Sequence, residues 1–174
     1  MARKSLKIPR HVFWLTLATI LAMRLFLFDS QPEVSVAEMT LNNGDSAAVT
    51  ELPTVITKSG SYYLADYLTS KTQGVIIAAD NVTLDLMGFS LTGSSENHFD
   101  GIRIEGARNV TIRNGSVSSF GGHGIYETGD EGGGHNHRMT DVLVTGNTGS
   151  GIYLKGQGHQ VHNCMTVQNG LNGI

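Results

Sequence analysis

The stretch Gly101-Ile102-Arg103-Ile104, answered by Gly124-Ile125-Tyr126-Glu127 and Gly151-Ile152-Tyr153-Leu154, decides how this 174-residue chain folds. A glycine followed by a β-branched residue also occurs as Gly74-Val75 and Gly173-Ile174, so the pair recurs at intervals of 27, 23, 27 and 22 residues. Repeats of roughly 20–50 residues mark solenoids, where each unit buries its apolar face only against its neighbours. Inside each unit a second anchor follows: Asn81-Val82-Thr83-Leu84, Asn109-Val110-Thr111-Ile112, Asp141-Val142-Leu143-Val144 and, more loosely, Gln160-Val161-His162-Asn163. Phe89–Thr92, Ser116–Ser119 and Met165–Gln168 supply a third short β segment.

Three short strands per unit, punctuated by glycine and asparagine, describe one coil of an all-β parallel solenoid. Alternate strand residues face opposite ways. Val75, Ile102, Ile125, Ile152 and Ile174 are therefore expected to stack inward, with Val82, Val110, Val142 and Val161 as a second internal ladder. The corner glycines and asparagines suit turns because both tolerate positive φ. A leucine-rich repeat would need an L-x-x-L-x-L pattern, which is missing.

Outside the repeat, Arg3, Lys4, Lys7 and Arg10 precede an uncharged apolar run from Val12 to Met23, and Ser35-Val36-Ala37 offers a cleavage site. Residues 1–37 read as a signal peptide or, if uncleaved, an N-terminal anchor, although Arg24 interrupts a full span. Residues 38–51 read as a linker and 52–72 as N-terminal cap strands. Residues 73–174 read as about four coils, C-terminally incomplete, with further coils or a partner at the open edge. Beyond residue 37 the chain holds 7 Lys/Arg against 13 Asp/Glu, a balance that argues against nucleic acid. The single Cys164 excludes an intramolecular disulfide. The Asn-x-Ser/Thr matches at Asn81, Asn109 and Asn114 follow the coil period, so they are turn residues first.

The run Ile56-Thr57-Lys58-Ser59-Gly60-Ser61-Tyr62-Tyr63-Leu64, with Gly74-Val75-Ile76-Ile77-Ala78-Ala79-Asp80-Asn81-Val82-Thr83-Leu84-Asp85-Leu86-Met87-Gly88-Phe89, resembles the opening of bacterial parallel β-helix repeat proteins of the pectin-lyase-like superfamily. The resemblance covers roughly residues 52–174. It implies a right-handed, single-stranded parallel β-helix that meets a polysaccharide, acidic ones included, while the N-terminal segment points to a secreted, periplasmic or cell-surface location. Polysaccharide lyases and glycoside hydrolases belong to this group, as do members without assigned activity, so whether the chain is an enzyme stays open. The alternative is a non-enzymatic structural or adhesion solenoid at the cell surface.

Four sets of residues are candidates for chemistry. Gln73, Asp100, His123, Ser150 and Asn172 each precede a glycine of the repeat, and Asp100 with Gly122-His123-Gly124 resembles part of a polygalacturonase site. That family uses three aspartates here, and this ladder has only Asp100; hydrolysis needs two carboxyl groups. Arg103, Tyr126 and Tyr153 are expected on one outward face as a sugar-binding set, with Arg113 adding positive charge to the same coil. Gly151-Ile152-Tyr153-Leu154-Lys155 resembles the substrate-binding Arg-Ile-Lys stretch of polygalacturonases, which makes Lys155 a further substrate-binding candidate. Loop residues Asp130, Glu131, His135 and His137 form a minimal metal set, since two histidines at i, i+2 are a common pattern. No cofactor is predicted, and neither Ca²⁺ nor a transition metal has further support in the sequence.

Overall fold

The computed structural model describes residues 37–38, 46–129 and 134–174. The expected leader over 1–37, Ala37 excepted, and the loop residues Asp130 and Glu131 lie outside the described residues. Every regular element among those described is a strand, and every strand pair runs parallel. No helix among them is long and apolar enough to cross a membrane.

The first sheet stacks Ala37–Glu38, Thr54–Ile56, Val75–Ile77, Ile102–Ile104, Ile125–Glu127 and Ile152–Tyr153 in chain order. The second, nine-stranded sheet carries Gly60–Leu64, Val82–Asp85, Thr111–Ser118, Arg138–Thr145 and Gln160–His162 along its path, with Ser90–Thr92 and Met165–Val167 joined at the third segment of the coil. Gly134–His135 and Gly156–Gln157 make a small third sheet. Each strand pairs with its counterpart one coil away, which defines a parallel β-solenoid.

The ladder runs further toward the N-terminus than the Gly-Ile pairs indicate. Thr54–Ile56 lies in register on Val75–Ile77, and Gly60–Leu64 on Val82–Asp85. Both strands are thus rungs of the same sheets. Ala47–Val49, inside the stretch expected to be a linker, is a strand paired with Tyr62–Leu64.

Val75, Ile102, Ile125 and Ile152 stack as expected and are fully buried, whereas Ile174 is 67% exposed. The second ladder differs from expectation. Thr83, Thr111, Arg138 and Gln160 are level with one another, so the residues preceding them, Val82, Val110, His137 and His159, form the inward column. Val142 instead lies level with Gly115, and Val161 with Met139 and Ile112. Asp141 likewise belongs with Asn114 and Asn163 rather than with Asn81 and Asn109.

These columns explain the corners. Asn81, Asn109 and Asn136 have φ near +56° to +60°, and their side chains hydrogen-bond in sequence, Asn109 Nδ2 to Asn81 Oδ1 at 2.8 Å and Asn136 Nδ2 to Asn109 Oδ1 at 3.3 Å. Asparagine tolerates the left-handed region because its short amide bonds locally. Asn114, Asp141 and Asn163 repeat the device at the next corner, with φ of 61°, 56° and 51°, and Asn163 donates to Asp141. At the third corner Asn147 is buried. Its Oδ1 accepts the Phe120 N–H at 3.0 Å, and its Nδ2 donates to Asn169 Oδ1 at 3.0 Å. Asn147→Ala should cost about 1–3 kcal/mol, because it strands the buried Phe120 amide. A lowered urea midpoint at unchanged m-value would show it.

The glycines of the Gly-Ile pairs serve a different purpose from the one expected. None of Gly74, Gly101, Gly124 and Gly151 has a left-handed φ. A Cβ on Gly124 would lie 2.8 Å from both Asn147 Nδ2 and Gly151 O, with Val144 closer still. Glycine is required there for space.

Candidate functional site

The outward face of the first sheet aligns Val55, Ile76, Arg103, Tyr126 and Tyr153 on successive rungs. Alternation dictates this, since Ile102 and Ile104 point inward and Arg103 between them points out. The Tyr126 and Tyr153 rings lie 5.5 Å apart. Arg103 Cζ sits 5.8 Å from the Tyr126 centroid, and Lys155 Nζ 5.8 Å from that of Tyr153. His123 stacks on Tyr126 at 4.8 Å and 13°, making a continuous aromatic surface. Arg103 is ion-paired, with Nε 2.9 Å from Glu105 Oε1 and a terminal nitrogen 3.8 Å from Asp100 Oδ2. A groove of about 420 Å³ beside this surface is lined by His98, Asp100, Arg103, His123, Tyr126 and Leu171, among others. Arg113 stands apart from the expected group. It lies on the second sheet, where Nε binds Asp85 Oδ2 at 2.8 Å beside a separate pocket lined by Tyr63 and Met87.

The ladder preceding the glycines is a chain of side chain to backbone bonds. Asp100 N–H donates to Gln73 Oε1 at 3.3 Å, His123 N–H to Asp100 Oδ1 at 2.7 Å, and Ser150 N–H to His123 Nδ1 at 2.9 Å. Each polar side chain thus satisfies the amide one coil on. Burial pushes the Asp100 carboxyl above its usual range, outweighing the downward pull of the His123 amide and of the His123 and Arg103 charges.

A second cluster lies inside the solenoid. The inward column of the first sheet runs Ile56, Ile77, Ile104, and then Glu127. In the same coil the opposite column changes from Val110 to His137. Glu127 and His137 are 1% and 0% exposed, with His137 Nε2 3.4 Å from Glu127 Oε1 and His159 Nε2 3.7 Å from Glu127 Oε2. Glu127 also accepts the Gly134 N–H and, at 3.0 Å, the Lys155 N–H. The loop pair expected to act together is therefore split. His137 joins Glu127 and His159, while His135 holds the Gly134 carbonyl through Nδ1 at 2.6 Å. The Gly-Ile register contained the signal for Glu127, because the position three after each glycine reads Ile77, Ile104, Glu127, Leu154.

The Glu127, His137 and His159 donor atoms lie within 4.8 Å of one another, close enough to coordinate a metal. Proton placement opposes that use. His137 Nδ1 accepts the Val110 N–H and His159 Nδ1 the His137 N–H, each at 3.2 Å. A neutral imidazole whose Nδ1 accepts carries its proton on Nε2, and a proton there blocks the atom that faces Glu127. No protein-family model matches this chain, and neither a curated protein nor a solved structure matches it in comparison.

Proposed function

We propose that this is an exported, right-handed parallel β-helix protein of pectin-lyase-like type that binds an extracellular polysaccharide along the outward face of its first sheet. One observation carries the reading: Arg103, Tyr126 and Tyr153 lie on consecutive rungs with His123 stacked on Tyr126. Aromatic side chains offer apolar area to pyranose rings, and the Tyr126 and Tyr153 rings repeat at 5.5 Å along the stack. The parallel strands hold the backbone of these residues in register, so little backbone ordering entropy is lost on binding. Binding without hydrolysis fits best, because among the described residues Asp100 is the sole carboxylic acid lining the groove and hydrolysis needs a pair.

Affinity electrophoresis through gels containing polygalacturonate, alginate, xylan or β-glucan tests this. At least one polymer should retard the protein, and the Tyr126→Ala/Tyr153→Ala variant should lose about tenfold or more in affinity. Assays for unsaturated uronates and new reducing ends should stay silent. A purely structural solenoid is the second reading, favoured by the commitment of Asp100 and His123 to amides of the next coil. Migration unaffected by every polymer would select it.

A further inference from the structure

The two inward columns turn ionisable in one coil, and two imidazoles, the buried His137 and the partly exposed His159, accept a backbone amide through Nδ1. We propose that His137 and His159, facing Glu127, form an acid-operated latch between the coils: neutral imidazoles clasp the Val110 and His137 amides, and protonation releases them. A histidine cation carries a hydrogen on both ring nitrogens and cannot accept a bond. Protonating His137 therefore breaks the Val110 contact, and protonating His159 breaks the contact from the His137 amide. The released segment is the one that leads from Gly134–His135 into the strand Arg138–Thr145.

The surroundings decide which way the balance falls. Around His137, Glu127 favours the cation, whereas His159, stacked at 5.0 Å, and His135 oppose it. Lys155 contributes its backbone, with its N–H to Glu127 and its carbonyl 2.7 Å from His159 Nε2, and Arg138 is exposed. Desolvation is the largest influence, and it holds His137 below the usual histidine value of 6.5. The unfolded chain then binds the proton more readily than the fold. The stabilisation is complete above about pH 6.5 and declines as pH falls below it, toward the depressed native value. Val82 and Val110, the preceding members of the column, show that an aliphatic side chain fits the position.

Two measurements on the full chain test the latch. Nitrogen NMR of the wild type at about pH 7.5 should show His137 and His159 protonated at Nε2 alone. Between about pH 7 and pH 5, hydrogen-exchange protection of the Val110 and His137 amides should fall about tenfold more than that of Leu86, which bonds to Arg113 O far from any imidazole. His137→Val should leave the protection of the Leu86 amide flat over that range, and remove most of the acid-dependent loss of stability. Protonation at Nδ1, exchange that tracks the Leu86 control, or Zn²⁺ binding that shifts both Nε2 resonances at equimolar metal would each overturn the proposal. The NMR and exchange readings stand on the wild type even if the variant fails to fold.

Discussion

Gly101→Ala is expected to unfold the protein or cost about 3 kcal/mol or more. The new Cβ would lie 2.6 Å from Gly124 O and 3.0 Å from Phe120 Cδ2, with Val117 Cγ1 closer still. Real Cβ atoms do not approach a backbone oxygen so closely. Relief would need either the Gly101–Ile104 rung or the facing Val117 strand to move outward. Moving the rung would disturb the bonds from Gly101 N–H to His123 O at 2.9 Å and from Ile102 N–H to Gly124 O at 2.8 Å. Overpacking of a close-packed core usually costs about 1–3 kcal/mol, and here the obstructing atoms belong to backbone on one side and to fully buried Val117 and Phe120 on the other. Gly106→Ala offers the contrast, since nothing lies within 4 Å of its Cβ and only its φ of +60° resists the change. It should cost about 1 kcal/mol. Thermal melts of the two variants would order them, and a Gly101→Ala protein melting within a few degrees of wild type would show that the coil spacing is adjustable.

The repeat was legible because Gly74, Gly101, Gly124 and Gly151 sit where a Cβ has no space and the residue after each lies in the core. Those two demands print the Gly-Ile pair in every coil from Gly74 onward. They fail to print the earlier rung, where Thr54 occupies the position level with Val75; a threonine buried there bonds the Glu51 carbonyl instead of merely filling space. The outer stripe followed directly from the same register, because alternation places Arg103, Tyr126 and Tyr153 outward once Ile102, Ile125 and Ile152 are inside. Arg113 shares a coil with Arg103 yet lies on the second sheet, because a coil turns the chain onto another sheet within ten residues. The second internal column is hidden in the sequence for a related reason. Asp141-Val142 resembles Asn109-Val110 in residue type, but positive φ recurs within one coil, at Asn109, Asn114 and Ser119, and the insertion in coil three displaces the match by one corner. His137 therefore reads as a loop residue in the sequence. Its burial is visible only when Arg138 is seen level with Thr111.

Ile125→Ala should cost about 2–5 kcal/mol, whereas Ile174→Ala should change stability by less than about 0.5 kcal/mol. Both residues follow the glycine of a Gly-Ile pair, so sequence position alone predicts equal effects. Ile125 is fully buried, stacked between Ile102 and Ile152 in the first-sheet column, whereas Ile174 is 67% exposed. Truncating Ile125 removes three methyl or methylene carbons from contact with coils on both sides, and the flanking rungs are held by backbone bonds from Ile125 N–H to Gly151 O at 2.9 Å and from Ile102 N–H to Gly124 O at 2.8 Å. The walls cannot collapse inward without breaking that ladder, so most of the cavity persists and the cost lies above the bare transfer value. In a solenoid each coil is stabilised chiefly by its neighbours. The loss at Ile125 should therefore spread along the stack as lowered exchange protection in the rungs Ile102–Ile104 and Ile152–Tyr153, and fade toward Thr54–Ile56. Equal protection changes along the whole column would indicate one cooperative unit instead of nearest-neighbour coupling.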